Sequence, residues 1–244
     1  MPATPAWPPK SLPRLFVRQP LGEGARVALD AGQANYLGNV LRMKEGAALL
    51  LFDGSTGEWR AKIADSGKKS MVLAVERRTR SLEAVPDVAL AFAPVKRTQT
   101  DWLVEKATEL GVRSLQPVIT RRTVVERVKL ERLQSIAIEA AEQCGRTLLP
   151  QIAEPMPLAR LIEERGRTLY FADEQGGEPA ATAFAPGPAT ILTGPEGGFS
   201  EEERALIRAA PDTRAISLGP RILRAETAAL AALAAYMAIA GDWR

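Results

Sequence analysis

The chain has 244 residues, 46% of them hydrophobic, which suffices for one large domain or two unequal ones with a real core. Histidine is absent and Cys144 is the only cysteine, which excludes a Ser-His-Asp triad, a Cys-His pair, an imidazole base, a Cys/His zinc site and an internal disulfide. The formal net charge is only +3 but unevenly spread, with clusters at Arg77, Arg78 and Arg80, at Lys96 and Arg97, and at Arg121 and Arg122; this is the pattern of a basic face for a polyanion or of ordinary solvated surface.

The opening MPATPAWPPK is proline-rich and lacks the apolar stretch of a secretory signal, so residues 1–13 are expected to be a disordered leader. No apolar run is long enough for a membrane span, and the lone cysteine fits a reducing cytoplasm. Short strand-like runs follow at Arg14–Val17, Ala25–Leu29, Ala47–Phe52, Glu58–Ile63 and Met71–Val75. A helix is expected over Ala31–Arg42, and Phe52 to Gly57 reads as a hairpin connection. Several short strands with one helix suggest a small β-barrel. Gly22-Glu23-Gly24 reads as a turn.

Beyond Pro86 the rhythm changes to alternating strands and helices. Val88–Ala93, Leu115–Ile119, Thr168–Phe171, Thr190–Leu192 and Ala215–Leu218 are the strands. Gln99–Leu110 and Leu130–Cys144 are amphipathic helices stopped by Gly111 and Gly145. The alternation predicts a mostly parallel sheet covered on both faces, an α/β domain with its boundary near residues 78–86. The alanine-rich final helix is either a buried core element or a subunit interface.

Two loops carry the chemistry. Thr193-Gly194-Pro195-Glu196-Gly197-Gly198 follows the fourth strand, where glycines let backbone approach a ligand outside the strand's carboxyl end. It is neither a Walker loop nor a dinucleotide fingerprint. Ser200 with Glu203 reads as a helix-capping box, so the acidic run there is structural. Leu218-Gly219-Pro220-Arg221-Ile222-Leu223-Arg224 follows the fifth strand and would form a second wall, with Ile222 and Leu223 against a nucleoside-like ligand and Arg221 and Arg224 toward an anion.

Gly194 to Ser200 followed by Leu218 to Ala228 resembles the signature of the RsmE family, 16S ribosomal RNA uridine-N3 methyltransferases of the SPOUT superfamily. Glu105–Gly111, Glu142–Arg146, Val40–Gly46 and Leu51–Gly54 resemble further blocks of the family, so the resemblance runs from about Arg14 to the end. Tyr36 departs from it, standing where relatives often carry histidine, as does Ala47 after Gly46. The resemblance implies a PUA-like β-barrel for RNA at 14–80 and a SPOUT methyltransferase domain with a deep trefoil knot at 81–244. It implies a cytoplasmic homodimer, S-adenosylmethionine as cofactor, and no metal. Phe171, Glu174, Leu192 to Gly198, Leu218, Gly219, Ile222, Leu223 and Arg224 would bind the cofactor. Arg224 would also be catalytic, orienting the uridine or stabilising its developing anion. Arg14, Arg42, Lys96 and Arg221 would contact 16S ribosomal RNA. No side-chain general base is identified, which leaves the proton to the RNA or to hydroxide. The alternative is a SPOUT enzyme acting on another ribosomal or transfer RNA nucleotide.

Overall fold

The computed structural model describes residues 12–67, 70–125, 127–164 and 166–243, so all but the last two residues of the expected leader lie outside the described residues. The chain divides into two compact units. One takes the residues up to Glu83 with Gly145–Leu148; the other takes Ala84–Cys144 and the residues from Leu149 on.

The first unit contains β1 (Arg14–Phe16), β2 (Arg26–Ala28), α1 (Ala31–Asn35), β3 (Ala48–Phe52), β4 (Glu58–Ser66) and β5 (Met71–Arg80). Its sheet runs β1-β3-β4-β5-β2 and is antiparallel except between β1 and β3. Alternate residues, among them Leu49, Leu51, Ala61, Ile63, Leu73 and Val75, point to one core, as a period of two requires. The hairpin between β3 and β4 is fixed by Asp53, whose carboxylate accepts from Thr56 N at 2.7 Å, Ser55 N at 2.9 Å and Leu21 N at 3.0 Å. Burial pushes the Asp53 carboxyl up, but these hydrogen bonds outweigh it and hold the group below its ordinary value. The helix expected to reach Arg42 is shorter. After α1 the chain takes a π-helical turn, Tyr36–Val40, and Arg42 is left-handed at φ 54, a conformation that ends a helix.

The second unit is a parallel sheet. Its elements are β6 (Val88–Phe92), α2 (Arg97–Glu109), β7 (Ser114–Ile119), α3 (Leu130–Cys144), β8 (Gln151–Ile152), β9 (Met156–Pro157), α4 (Leu158–Glu164), β10 (Thr168–Ala172), β11 (Glu178–Pro179), α5 (Ala180–Ala183), β12 (Ala189–Thr193), α6 (Glu201–Ala209), β13 (Thr213–Ser217) and α7 (Ala225–Ile239). Among the described residues the strand order is β11-β13-β10-β12-β6-β7-β8, with β9 also on β7, and every pairing is parallel. β6 and β12 are buried along their whole length because helices cover both faces. Residues of α2, α3, α5 and α7 share one apolar cluster with the sheet. Leu158, Leu161, Phe199 and Ile207 belong to another, with Phe171 and Leu192 of the strands. α7 is a core helix: Ala229, Ala232, Leu233, Tyr236 and Met237 are buried, and the Tyr236 hydroxyl donates to the Gly187 carbonyl at 2.7 Å. The strand order sets β10 between β12 and β13, so their three carboxyl ends lie side by side.

Candidate active site

The loops leaving β10, β12 and β13 surround a cavity of about 340 Å³. Its size and its place at the carboxyl ends of parallel strands suit a small-molecule ligand.

The loop after β12 is built tightly. Gly198 has φ +67, and a Cβ there would lie 2.5 Å from Glu174 Oε1, so no larger residue fits without moving that carboxylate. At Gly194 a Cβ would meet the Phe199 ring at 2.9 Å. The Arg122 guanidinium donates to the Gly197 carbonyl at 2.6 Å. Ser200 then caps α6: its hydroxyl accepts from Glu203 N at 3.2 Å, while the Glu203 carboxylate accepts from Ser200 N at 2.9 Å. Glu203 also accepts from Arg121 N at 2.7 Å, so its carboxylate is structural, as the sequence suggests. Thr193, 2% exposed at the end of β12, lines the cavity, and its Oγ1 has no hydrogen-bond partner among the described residues.

The loop after β10 is held by ion pairs. The buried Asp173 carboxylate accepts from Arg204, from Arg208 at 2.5 Å and from Gln175 N at 3.0 Å. Arg204 also donates to Glu174 at 2.9 Å. Burial, then the charges of Arg208 and Arg122, push the Arg204 guanidinium down from its ordinary value; arginine nonetheless stays protonated in proteins. One helix, α6, thereby ties the β10 loop to the glycine loop that precedes it.

The loop after β13 is looser. Ile222 is 90% exposed, and Arg221 and Arg224 are exposed without a side-chain partner among the described residues. Arg224 is the N-cap residue of α7 but makes no side-chain cap. Its main-chain carbonyl accepts from Ala228 N at 2.8 Å, leaving the guanidinium to project.

Of the residues expected at the cofactor, Glu174, Thr193, Gly194, Pro195, Glu196, Leu218, Gly219, Ile222, Leu223 and Arg224 line the cavity, as does Arg221. Phe171 and Leu192 do not: both side chains are buried in the core beneath it. Gly197 and Gly198 do not line it either, packing instead on Arg122 and Glu174. Arg14 requires correction. It is a buried cation, not a surface contact: its Nε donates to Glu58 at 2.8 Å, its Nη2 to the Arg146 carbonyl at 2.7 Å, and its guanidinium lies 4.6 Å from the Phe52 ring centre. Arg42, on the first unit, and Lys96, at the start of α2, are exposed, and neither is among the residues that line the cavity. Sequence reasoning misses the pairing of Asp173 with Arg204 and Arg208. The available signals were an aspartate directly after a buried strand and two arginines four apart on a helix face. Among the described residues no cluster of three potential metal ligands occurs, and no helix is long and apolar enough to cross a membrane.

The family model for the RNA methyltransferase domain matches residues 82–237, and that for an RNA methyltransferase PUA domain matches residues 29–76. A ribosomal RNA small subunit methyltransferase E of Rickettsia conorii is 32% identical over 91% of this chain and 93% of its own length. One from Synechocystis is 35% identical over 88% of this chain and 74% of its own. The crystal structure of a ribosomal RNA small subunit methyltransferase E from Neisseria gonorrhoeae bound to S-adenosyl methionine is similar with a TM-score of 0.88 at 28% identity, covering 96% of this chain and 100% of that one.

Proposed function

This chain belongs to the RNA methyltransferase family, that of ribosomal RNA small subunit methyltransferase E, and from that premise we propose that it methylates N3 of a uridine in 16S ribosomal RNA with S-adenosylmethionine. The cavity at the ends of β10, β12 and β13 is the observation that carries this reading. It joins a buried hydroxyl without a partner, Thr193 Oγ1, to apolar walls at Ile216, Leu218 and Leu223, and so fits a nucleoside with a charged tail.

S-adenosylmethionine supplies a methyl group already activated by its sulfonium. The protein has three tasks: aligning the reactants, excluding water, and favouring the uridine anion. The backbone of 193–196 and 218–223 holds the nucleoside. Arg224, unpaired at the cavity edge, orients the uridine and stabilises negative charge developing on its ring as N3 loses a proton. That proton passes to the RNA or to hydroxide, since the chain has no imidazole. Arg42, Lys96 and Arg221 contact phosphates. The first unit is the PUA-like RNA-binding domain, 14–80 in its expected bounds, and 81–244 the SPOUT domain with its deep trefoil knot. The protein acts in the cytoplasm as a homodimer; the exposed Trp102 and Ile222 of the second unit support burial against a second copy, which light scattering tests.

The decisive experiment incubates the protein with radiolabelled S-adenosylmethionine and 30S subunits lacking base methylation, then identifies the labelled nucleoside. Label in 3-methyluridine is expected, and Arg224→Ala should lower kcat/KM by about 10²- to 10³-fold while cofactor binding persists. Label in another nucleoside would leave the fold and cofactor but assign a different RNA target. Absence of both label and cofactor binding would refute the reading.

A further inference from the structure

The charges lining the cavity are not equivalent. Asp173 and Glu174 are neutralised by Arg204 and Arg208. Glu196 is exposed on the loop after β12, lines the cavity and has no side-chain partner among the described residues. It is the one unpaired carboxylate among the described lining residues. The unpaired cations, Arg221 and Arg224, stand on the other loop, after β13. The cavity therefore offers free negative charge from one wall and free positive charge from another.

Methyl transfer changes the charge of what the cavity holds. The carbon–sulfur bond breaks with its electron pair left on sulfur, so a cationic sulfonium becomes a neutral thioether, while the deprotonated uridine becomes neutral methyluridine. A carboxylate on the cavity wall that faces the sulfur would bind the cationic donor more tightly than the neutral product. We propose that Glu196 is a specificity-determining residue that recognises the positive charge of the donor and so favours S-adenosylmethionine over S-adenosylhomocysteine. This rests on reading the cavity as the cofactor site. Because the sulfonium charge is already present in the ground state and fades along the reaction, Glu196 acts on donor binding and product release and gives the transition state no added stabilisation.

Titration calorimetry with S-adenosylmethionine, S-adenosylhomocysteine and sinefungin, whose amine places a cation beside the position of the sulfur, tests it on wild type and Glu196→Gln. An exposed pair of opposite charges is worth about two- to fivefold in affinity. Glu196→Gln should weaken both cationic ligands by about that factor and change the neutral product less than about twofold. The advantage of the cations in wild type should shrink as salt is raised, and KM for the donor should rise without a fall in kcat. Equal weakening of all three ligands would overturn the proposal, since the contact would then be with the amino-acid ammonium they share; so would no change in any. If Glu196→Gln binds nothing, Glu196→Asp, which keeps the charge, must restore binding and the preference for the cations, or the proposal fails. A wild-type protein that binds none of the three would instead refute the proposed function.

Discussion

Replacing Arg14 by alanine separates a buried structural cation from an RNA contact. The side chain is 4% exposed and its Glu58 partner 5%, and the pair is reinforced by the Arg146 carbonyl and the Phe52 ring. Removing one member leaves a carboxylate in the interior with Arg80, itself 41% exposed, as the remaining cation among the described residues and the Thr79 hydroxyl as a further donor at 3.0 Å. Loss of one partner from a buried pair costs about 3–5 kcal/mol. With a urea dependence of about 1–2 kcal/mol per molar for a unit of this size, the midpoint of its unfolding should fall by about 2 M or more. Far-UV circular dichroism and the fluorescence of Trp59, next to Glu58 on β4, read the transition. Arg14→Met with Glu58→Leu removes both charges at similar volume and should recover much of the loss, because the exposed Arg80 can return to water. RNA affinity of the folded fraction should stay within about twofold. The opposite pattern, with wild-type urea stability but affinity down about tenfold and a shallower salt dependence, would make Arg14 a phosphate contact and refute the assignment.

Gly198→Ala combines an unfavourable left-handed alanine, about 1–2 kcal/mol, with a Cβ 2.5 Å from a Glu174 oxygen held by Arg204, so cofactor affinity should fall about tenfold or more; unchanged calorimetric binding would show that the loop adapts freely. Stability should be acid-sensitive in a defined window. Burial raises the Glu58 pKa, but hydrogen bonds and charge from Arg80 and Arg14 outweigh it and hold the folded value below the ordinary 4.5, so this stabilisation is complete above about pH 5 and is lost as pH falls through the lower folded value. Urea midpoints should be flat at neutral pH and drop below about pH 4.5, and Glu58→Gln should be less stable throughout with a shallower acid slope. An acid slope equal to that of wild type would remove Glu58 from the account.

What was legible in the sequence was whatever local pattern decides. Val88–Phe92 and Ala189–Thr193 are apolar without alternation because both strands are central, and that pattern is visible without coordinates. Ser200 and Glu203 lie three apart, so their mutual capping is also local. Pairings across the fold were not legible. Arg14 meets Glu58 44 positions away and Arg146 132 positions away, and nothing near Arg14 distinguishes it from a surface arginine. Asp173 and Arg204 are 31 apart, joined only once β10 and α6 are in place. β8, β9 and β11 are two residues each, too short to leave a period. The early end of the helix near Arg42 depends on a left-handed backbone that arginine seldom adopts.

The walls of the cavity differ in rigidity, and that difference follows from where the hydrogen bonds are made. The β10 and β12 loops are fastened by Asp173, Arg204, Arg208, Arg122 and the Ser200 cap, so their geometry is set before any ligand arrives and little ordering entropy is charged to binding. Between Arg221 and Arg224, in contrast, no side chain among the described residues makes a hydrogen bond, and the loop is braced by Gly219 N donating to Ser217 Oγ at a long 3.4 Å. Those arginines retain rotamer freedom of about 2 kcal/mol each until an anion fixes them. A small ligand of constant shape gains most from the fastened walls. A larger polyanion, whose approach varies, is better met by side chains that settle only on contact. The division of the cavity into a rigid wall with a carboxylate and an adaptable wall with guanidiniums is thus what a site holding a nucleoside donor and an RNA acceptor together requires.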